Sequence, residues 1–149
     1  MILESWTVLW NEFASDTYTY GANIVFHAGD DVEYRNALMP PGTIIKQWYS
    51  RTNFQKNKIE PALPVIDGEG SYQLAASIDC PEGERWLLRL VFYDRFENEV
   101  DSISIWDPVV NFRCPLKTYS YRLQLINGGM TGFRFHSVVI REISDETDI

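Results

Sequence analysis

The sequence predicts an all-β protein, an antiparallel β-sandwich of jelly-roll type. Three observations carry this. Runs of β-branched and aromatic residues alternate with polar ones at period two, most cleanly in Ser71–Asp79 and Tyr119–Asn127. Turn signals of Gly, Pro, Asn and Asp separate about eight such runs at roughly the 8–12-residue spacing of sandwich strands. No segment keeps a helical period over three turns.

Taken in order, Met1–Phe13 mixes apolar and polar residues, and Trp6-Thr7-Val8-Leu9-Trp10 fits a first strand or the start of a helix. Thr17–Phe26 reads as one half-buried strand, with Tyr18, Tyr20, Ile24 and Phe26 alternating with Thr17, Thr19, Asn23 and Val25. His27 falls on its polar side. Ala28-Gly29-Asp30-Asp31 is a turn. Asp30, Asp31 and Glu33 crowd three carboxylates together, and a hard cation wants several oxygens. Their spacing fits no EF-hand loop, so a solvated acidic turn is the better reading.

The stretch Asn36–Phe54 organises the chain. In Leu38-Met39-Pro40-Pro41-Gly42 two prolines fix φ and remove two backbone donors, which excludes helix interior and central strand. Gly42 permits a turn into the β-rich run Thr43–Tyr49. A polar segment with Arg51, Asn53 and Phe54 follows, and Pro61 and Pro64 keep the chain extended. The apolar side chains Leu38, Met39, Trp48, Tyr49 and Phe54 must dock on their own sheet or on another protein.

Beyond the turn Asp67-Gly68-Glu69-Gly70, Ser71–Asp79 turns Tyr72, Leu74, Ala76 and Ile78 inward. Trp86–Asp94 is apolar on both faces, the mark of a central strand covered on both sides. Arg95-Phe96-Glu97-Asn98 makes a hairpin into Val100–Trp106. Val109–Phe112 is a short edge piece between Pro108 and Pro115. Tyr119–Asn127 turns Tyr119, Tyr121, Leu123 and Leu125 inward, and Asn127-Gly128-Gly129 is a tight turn. In Phe133–Arg141 the alternation slips from Phe133 and Phe135 to Val138 and Ile140, which predicts a β-bulge near His136 or Ser137. Residues 1–149 read as one domain, with the acidic tail Ser144–Ile149 frayed.

Composition narrows the function. A hydrophobic fraction of 45% describes a folded chain. A net charge of −8 argues against sequence-independent nucleic-acid binding and against docking on anionic lipid, and permits a basic partner. No apolar run approaches the roughly 20 residues of a membrane span. The N-terminus has no basic n-region or long apolar core of a signal peptide, so a cytoplasmic location is expected, with membrane contact only through partners. In a reducing cytosol Cys80 and Cys114 read as small buried hydrophobes rather than a disulfide.

Searching for chemistry gives little. The sequence has no nucleophile elbow, Walker loop or dinucleotide fingerprint, and nothing calls for a cofactor. His27 and His136 lack zincin spacing, and nothing gathers them with Cys80 and Cys114 into a metal site. No catalytic residue is assigned. Binding fares better: aromatic rings on a sandwich stack on sugars while Asn, Gln or Arg bonds the hydroxyls. Trp48, Tyr49, Tyr93 and Trp106 are candidates, although five tryptophans also suffice to fill a core.

The ordered set Asn36–Gly42, Trp48, Ser50–Phe54, Pro61–Pro64, Ser71–Leu74, Phe92–Phe96, Tyr119–Tyr121 and Leu125–Gly129 resembles the third accessory secretory proteins of the Gram-positive accessory Sec system. The resemblance covers nearly the whole chain. It implies a carbohydrate-binding-module-like fold and a non-catalytic adaptor or chaperone for export of serine-rich-repeat glycoprotein adhesins. The implied partners are the first and second accessory secretory proteins and unfolded adhesin preprotein, with the accessory motor ATPase reached through the complex. Leu38, Met39, Pro40, Pro41, Trp48, Arg51, Asn53 and Phe54 match the family pattern and form the candidate partner interface, since aromatic and Arg anchors dominate interfaces. The alternative is a free carbohydrate-binding module.

Overall fold

The computed structural model describes residues 2–11, 15–51 and 61–144. Its longest strand, β11 (Gly132–Ile143), is the axis of the first sheet. One side of β11 pairs with β6 (Ser71–Asp79); along the other, β4 (Asp31–Arg35) takes its first part and β1 (Ile2–Val8) its second. β3 (Asn23–Ala28) extends the sheet beyond β4, and β9 (Val109–Arg113) extends it beyond β6. The second sheet runs β2 (Ser15–Thr17), β5 (Ile44–Tyr49), β10 (Ser120–Asn127), β7 (Trp86–Tyr93) and β8 (Glu99–Ile105). Every pairing is antiparallel. The all-β sandwich expected from the alternation is the fold.

The inward residues of both sheets meet in one core. Trp10, just past β1, lies among Tyr34, Trp48, Phe133 and Phe135, with ring centroids 5.6–6.4 Å away. Tyr72, Phe92, Phe112 and Tyr121 form a second aromatic group. Lys46 is fully buried at the first group, its ammonium 4.4 Å from the Trp10 ring centre and donating to Thr17 Oγ1 at 2.7 Å. On β7 both faces are buried, Leu87 and Val91 included, as an apolar run broken only by Arg89 leads one to expect. The bulge falls where the phase slips: the β6–β11 register shifts between Phe135 and Ser137.

Three expectations need correction. Thr17–Phe26 is not one strand. Gly21, at φ 74°, turns the chain, so β2 lies in one sheet and β3 in the other. Period two alone does not register a change of sheet. Tyr119 precedes β10 and is exposed rather than inward. The acidic turn is not merely solvated, because Asp31 and Glu33 are ion-paired. The undecided N-terminal run is strand as far as Val8. Asn53, Phe54 and the tail beyond Ser144 lie outside the described residues.

Cys80 and Cys114 are free thiols. Cys80 follows the end of β6, whereas the Cys114 amide donates to Gly70 O, beside its start. The nine residues of β6 between them span about 30 Å, far beyond disulfide reach.

The sandwich has two loop-bearing ends. At one, the β4–β5 loop meets the turns after β6 and β10, with Gly42 donating to Asn127 O and Gly128 to Arg85 O. At the other, residues 61–70, the β7–β8 turn and the β9–β10 connection gather, with Tyr119 donating to Tyr93 O and Glu69 to Cys114 O.

Candidate functional site

The proline-bearing loop is held by two buried asparagines. Asn36 Nδ2 donates to Tyr20 O at 2.7 Å, and its Oδ1 accepts from the Leu38 amide at 3.0 Å. Asn127 Nδ2 donates to Met39 O and Pro40 O at 3.3 and 3.2 Å, while its Oδ1 accepts from the amides of Gly129 and Met130. The prolines leave the loop short of donors, so neighbouring side chains satisfy its carbonyls. Met39 plugs into the core; Leu38, 69% exposed, and Pro40 and Pro41 face solvent. The sequence pointed to this loop, but not to Asn127 as its clamp.

Trp48, expected to meet a partner or a sugar, is a fully buried core ring. It stacks on Phe135 at 5.3 Å, and its Nε1 donates to Leu9 O at 2.9 Å. Its strand position fixes this, since Trp48 opposes the inward Leu123. Of the rings considered for sugar stacking, Tyr49 and Tyr93 do come together, on the outer face of the five-stranded sheet. The guanidinium of Arg122 lies between them, 5.0 Å from each ring centre. Gln124 donates to Gln47 Oε1 at 3.0 Å on the same face. Gln124 is buried, and among the described residues its own Oε1 has no donor. Burial and the nearby Asp16 carboxylate push the Tyr49 phenol above its ordinary range. Trp106 stands apart at the loop end, beside Gly128 and 4.4 Å from the Arg85 guanidinium.

Arg51 lies at the opposite end. Its guanidinium covers the Tyr119 ring at 4.2 Å, and its Nε donates to Tyr119 O at 3.1 Å. The described candidate partner residues therefore divide between both ends and the core.

The outer face of the six-stranded sheet carries a charged network. Arg134 forks onto the Asp31 carboxylate and holds it below the usual carboxylate range. Glu33 accepts from Arg35 and pairs with His27 at 3.0 Å. His136, the extra residue of the bulge, faces Asp79 Oδ2 and Asp30 O, both at 2.9 Å; the Asp79 bond first, then Asp30, pulls its pKa upward. Beside this network lies a cleft of about 640 Å³ lined by Asn23, Arg35, Asn36, Cys80 and Phe133. Burial pushes the Cys80 thiol up, away from the reactive thiolate. Among the described residues no group of three or more His, Cys, Asp or Glu is placed to hold a metal ion. No described helix is long and apolar enough to cross a membrane.

Comparison with known proteins follows the same lines. The family described as Accessory Sec secretory system ASP3 matches residues 17–142. The chain is 35% identical to the accessory Sec system protein ASP3 of Streptococcus gordonii, covering 89% of this chain and 83% of that protein. It is 26% identical to the accessory Sec system protein ASP3 of Staphylococcus aureus, of whose length it spans 46%. Among solved structures it superposes with a TM-score of 0.86 and 28% identity on a chain from the crystal structure of accessory secretory proteins 1, 2 and 3 of Streptococcus pneumoniae, covering 97% of this chain and all of that one. The CBM22-1–GH10 modules of a Clostridium thermocellum xylanase, complexed with xylohexaose, share the fold alone, at a TM-score of 0.59, 14% identity and 93% of this chain against 28% of that one.

Proposed function

The chain belongs to the accessory Sec secretory system ASP3 family, and from that membership we propose that it is a non-catalytic adaptor and chaperone, assembled with the first and second accessory secretory proteins for the export of serine-rich-repeat glycoprotein adhesins. The observation that carries this reading is the match over the full length of a chain solved together with accessory secretory proteins 1 and 2. Unfolded adhesin preprotein is the client, and the motor ATPase is reached through the complex at the cytoplasmic side of the membrane. The exposed Leu38, Pro40 and Pro41, and Arg51 at the far end, supply contacts; Trp48 and Met39 support them from within. Co-expression with the first and second accessory secretory proteins of the same organism, then size-exclusion chromatography with mass determination, tests this. Co-elution at fixed stoichiometry is expected; elution of a folded chain alone would overturn it.

A second reading rests on the outer face of the five-stranded sheet. Tyr49 and Tyr93 suit an apolar sugar face, and Arg122 between them suits its hydroxyls. A glycan array probed with the wild type and with Arg122→Ala tests it; binding lost in the variant supports glycan recognition.

A further inference from the structure

The end of the sandwich opposite the proline loop presents large apolar side chains that neither reading uses. Phe96 is 77% exposed, Leu116 67% and Tyr119 47%. All three line one groove of about 450 Å³. Val65, 69% exposed, joins them through an adjoining depression that shares Thr118 and Tyr119. These side chains come from three separate connections, so their convergence is a property of the fold and not of one apolar loop.

The connections are firmly built. In the β7–β8 turn, Asp94 Oδ1 accepts from the amides of Phe96 and Asn98 at 2.8 and 3.0 Å, and Glu97 takes a φ of 64°. In the next connection Thr118 donates to Pro115 O and Tyr119 to Tyr93 O. Phe96 and Leu116 are thus held outward by hydrogen-bonded turns, and a monomer gains nothing from holding them there.

Within the lining itself, as distinct from Glu97, Asp67 and Glu69 at the same end, the free charges are basic. In a chain of net charge −8, the lining carries Arg95 and Lys117, and Arg51 lies on Tyr119. The acid in the lining, Asp94, is occupied by its own turn, whose amide donors hold its carboxyl below the usual range.

We propose that this groove is the surface by which the chain docks onto an acidic, apolar-bearing segment of a folded protein partner in its export complex. The partner's apolar side chains pack on Phe96, Leu116 and Tyr119, and its carboxylates meet Arg51, Arg95 and Lys117. The inference rests on the adaptor reading for the identity of the complex, but not for the chemistry of the groove.

Two variants test it, Phe96→Glu with Leu116→Glu and Arg95→Glu with Lys117→Glu, beside Leu38→Glu at the other end. All five positions are exposed, so folding is retained and is checked by thermal unfolding. Each protein is assayed for co-elution with the first and second accessory secretory proteins and for binding a labelled Leu/Glu-rich amphipathic peptide. The apolar double variant is expected to lose at least about tenfold in both assays, a hot-spot-sized loss. The charge-reversed one weakens both and reverses their salt dependence, since salt then screens a repulsion, while Leu38→Glu keeps the peptide. Full retention of both by the apolar double variant overturns the proposal. If the wild type joins neither protein, the adaptor reading falls, and the peptide decides for the groove: binding that vanishes in the double variant supports it, and absent binding overturns it.

Discussion

The side-chain amide of Asn127, in the last position of β10, donates to the carbonyl of Met39, 88 residues earlier, at 3.3 Å. The same side chain also serves Pro40, Gly129 and Met130, so one buried amide ties the proline loop to the β10–β11 turn. Asn127→Ala leaves several buried backbone groups unmatched and is expected to destabilise the protein by about 1–3 kcal/mol. Leu38→Ser, in the same loop but exposed, stays within about 0.5 kcal/mol of wild type. Urea denaturation of the two variants checks the contrast.

Trp48→Ala is expected to cost about 3–5 kcal/mol, because it empties the space against Phe135 and Trp10 and orphans the Leu9 carbonyl. Any loss of partner binding in that variant then follows unfolding. Binding measured well below its lowered midpoint temperature separates the two, and unchanged stability would remove Trp48 from the core.

The fold was legible in the sequence where one face is buried and the other wet. Ser71–Asp79 and the slip after Phe135 are such places, since period two and its interruption record burial directly. Gly21 hid a change of sheet because the apolar alternation continues across it. The site was less legible for the same reason. Trp48 and Tyr49 are neighbours of like chemistry on opposite faces, and only the register with β10 separates core from surface. Phe96 comes from one loop and Leu116 and Tyr119 from another, and their convergence has no signal along the chain.

His136 makes stability depend on pH. The groups facing it are Asp79 from β6, the Asp30 carbonyl from the β3–β4 turn and Asp31 at the start of β4, and Arg134 on its own strand pairs with Asp31. Its folded pKa is raised, so the folded state binds the proton more tightly than the unfolded chain. The contribution is fully present below the ordinary histidine pKa of about 6.5 and is lost as pH rises through the folded value. His136→Gln is therefore expected to be destabilised relative to wild type in mildly acid solution, with the gap closing toward alkaline pH. Thermal midpoints of both proteins across that range test this, and a gap that widens with pH would reverse the assignment.

Gly68 links stability to the exposed apolar end. A Cβ there would collide with the carbonyl oxygen of Leu116, a backbone atom that no rotamer change can move. Gly68→Ala must therefore displace the β9–β10 connection, at about 1–3 kcal/mol, and carry Leu116 out of line with Phe96. Gly29 offers the control: a Cβ there meets nothing within 4 Å. Gly29→Ala is expected to unfold within about 0.5 kcal/mol of wild type. If Leu116 and Phe96 act as one surface, Gly68→Ala weakens partner binding at temperatures where it remains folded, and Gly29→Ala does not. Equal binding by both would mean that the two side chains need no fixed relation to each other.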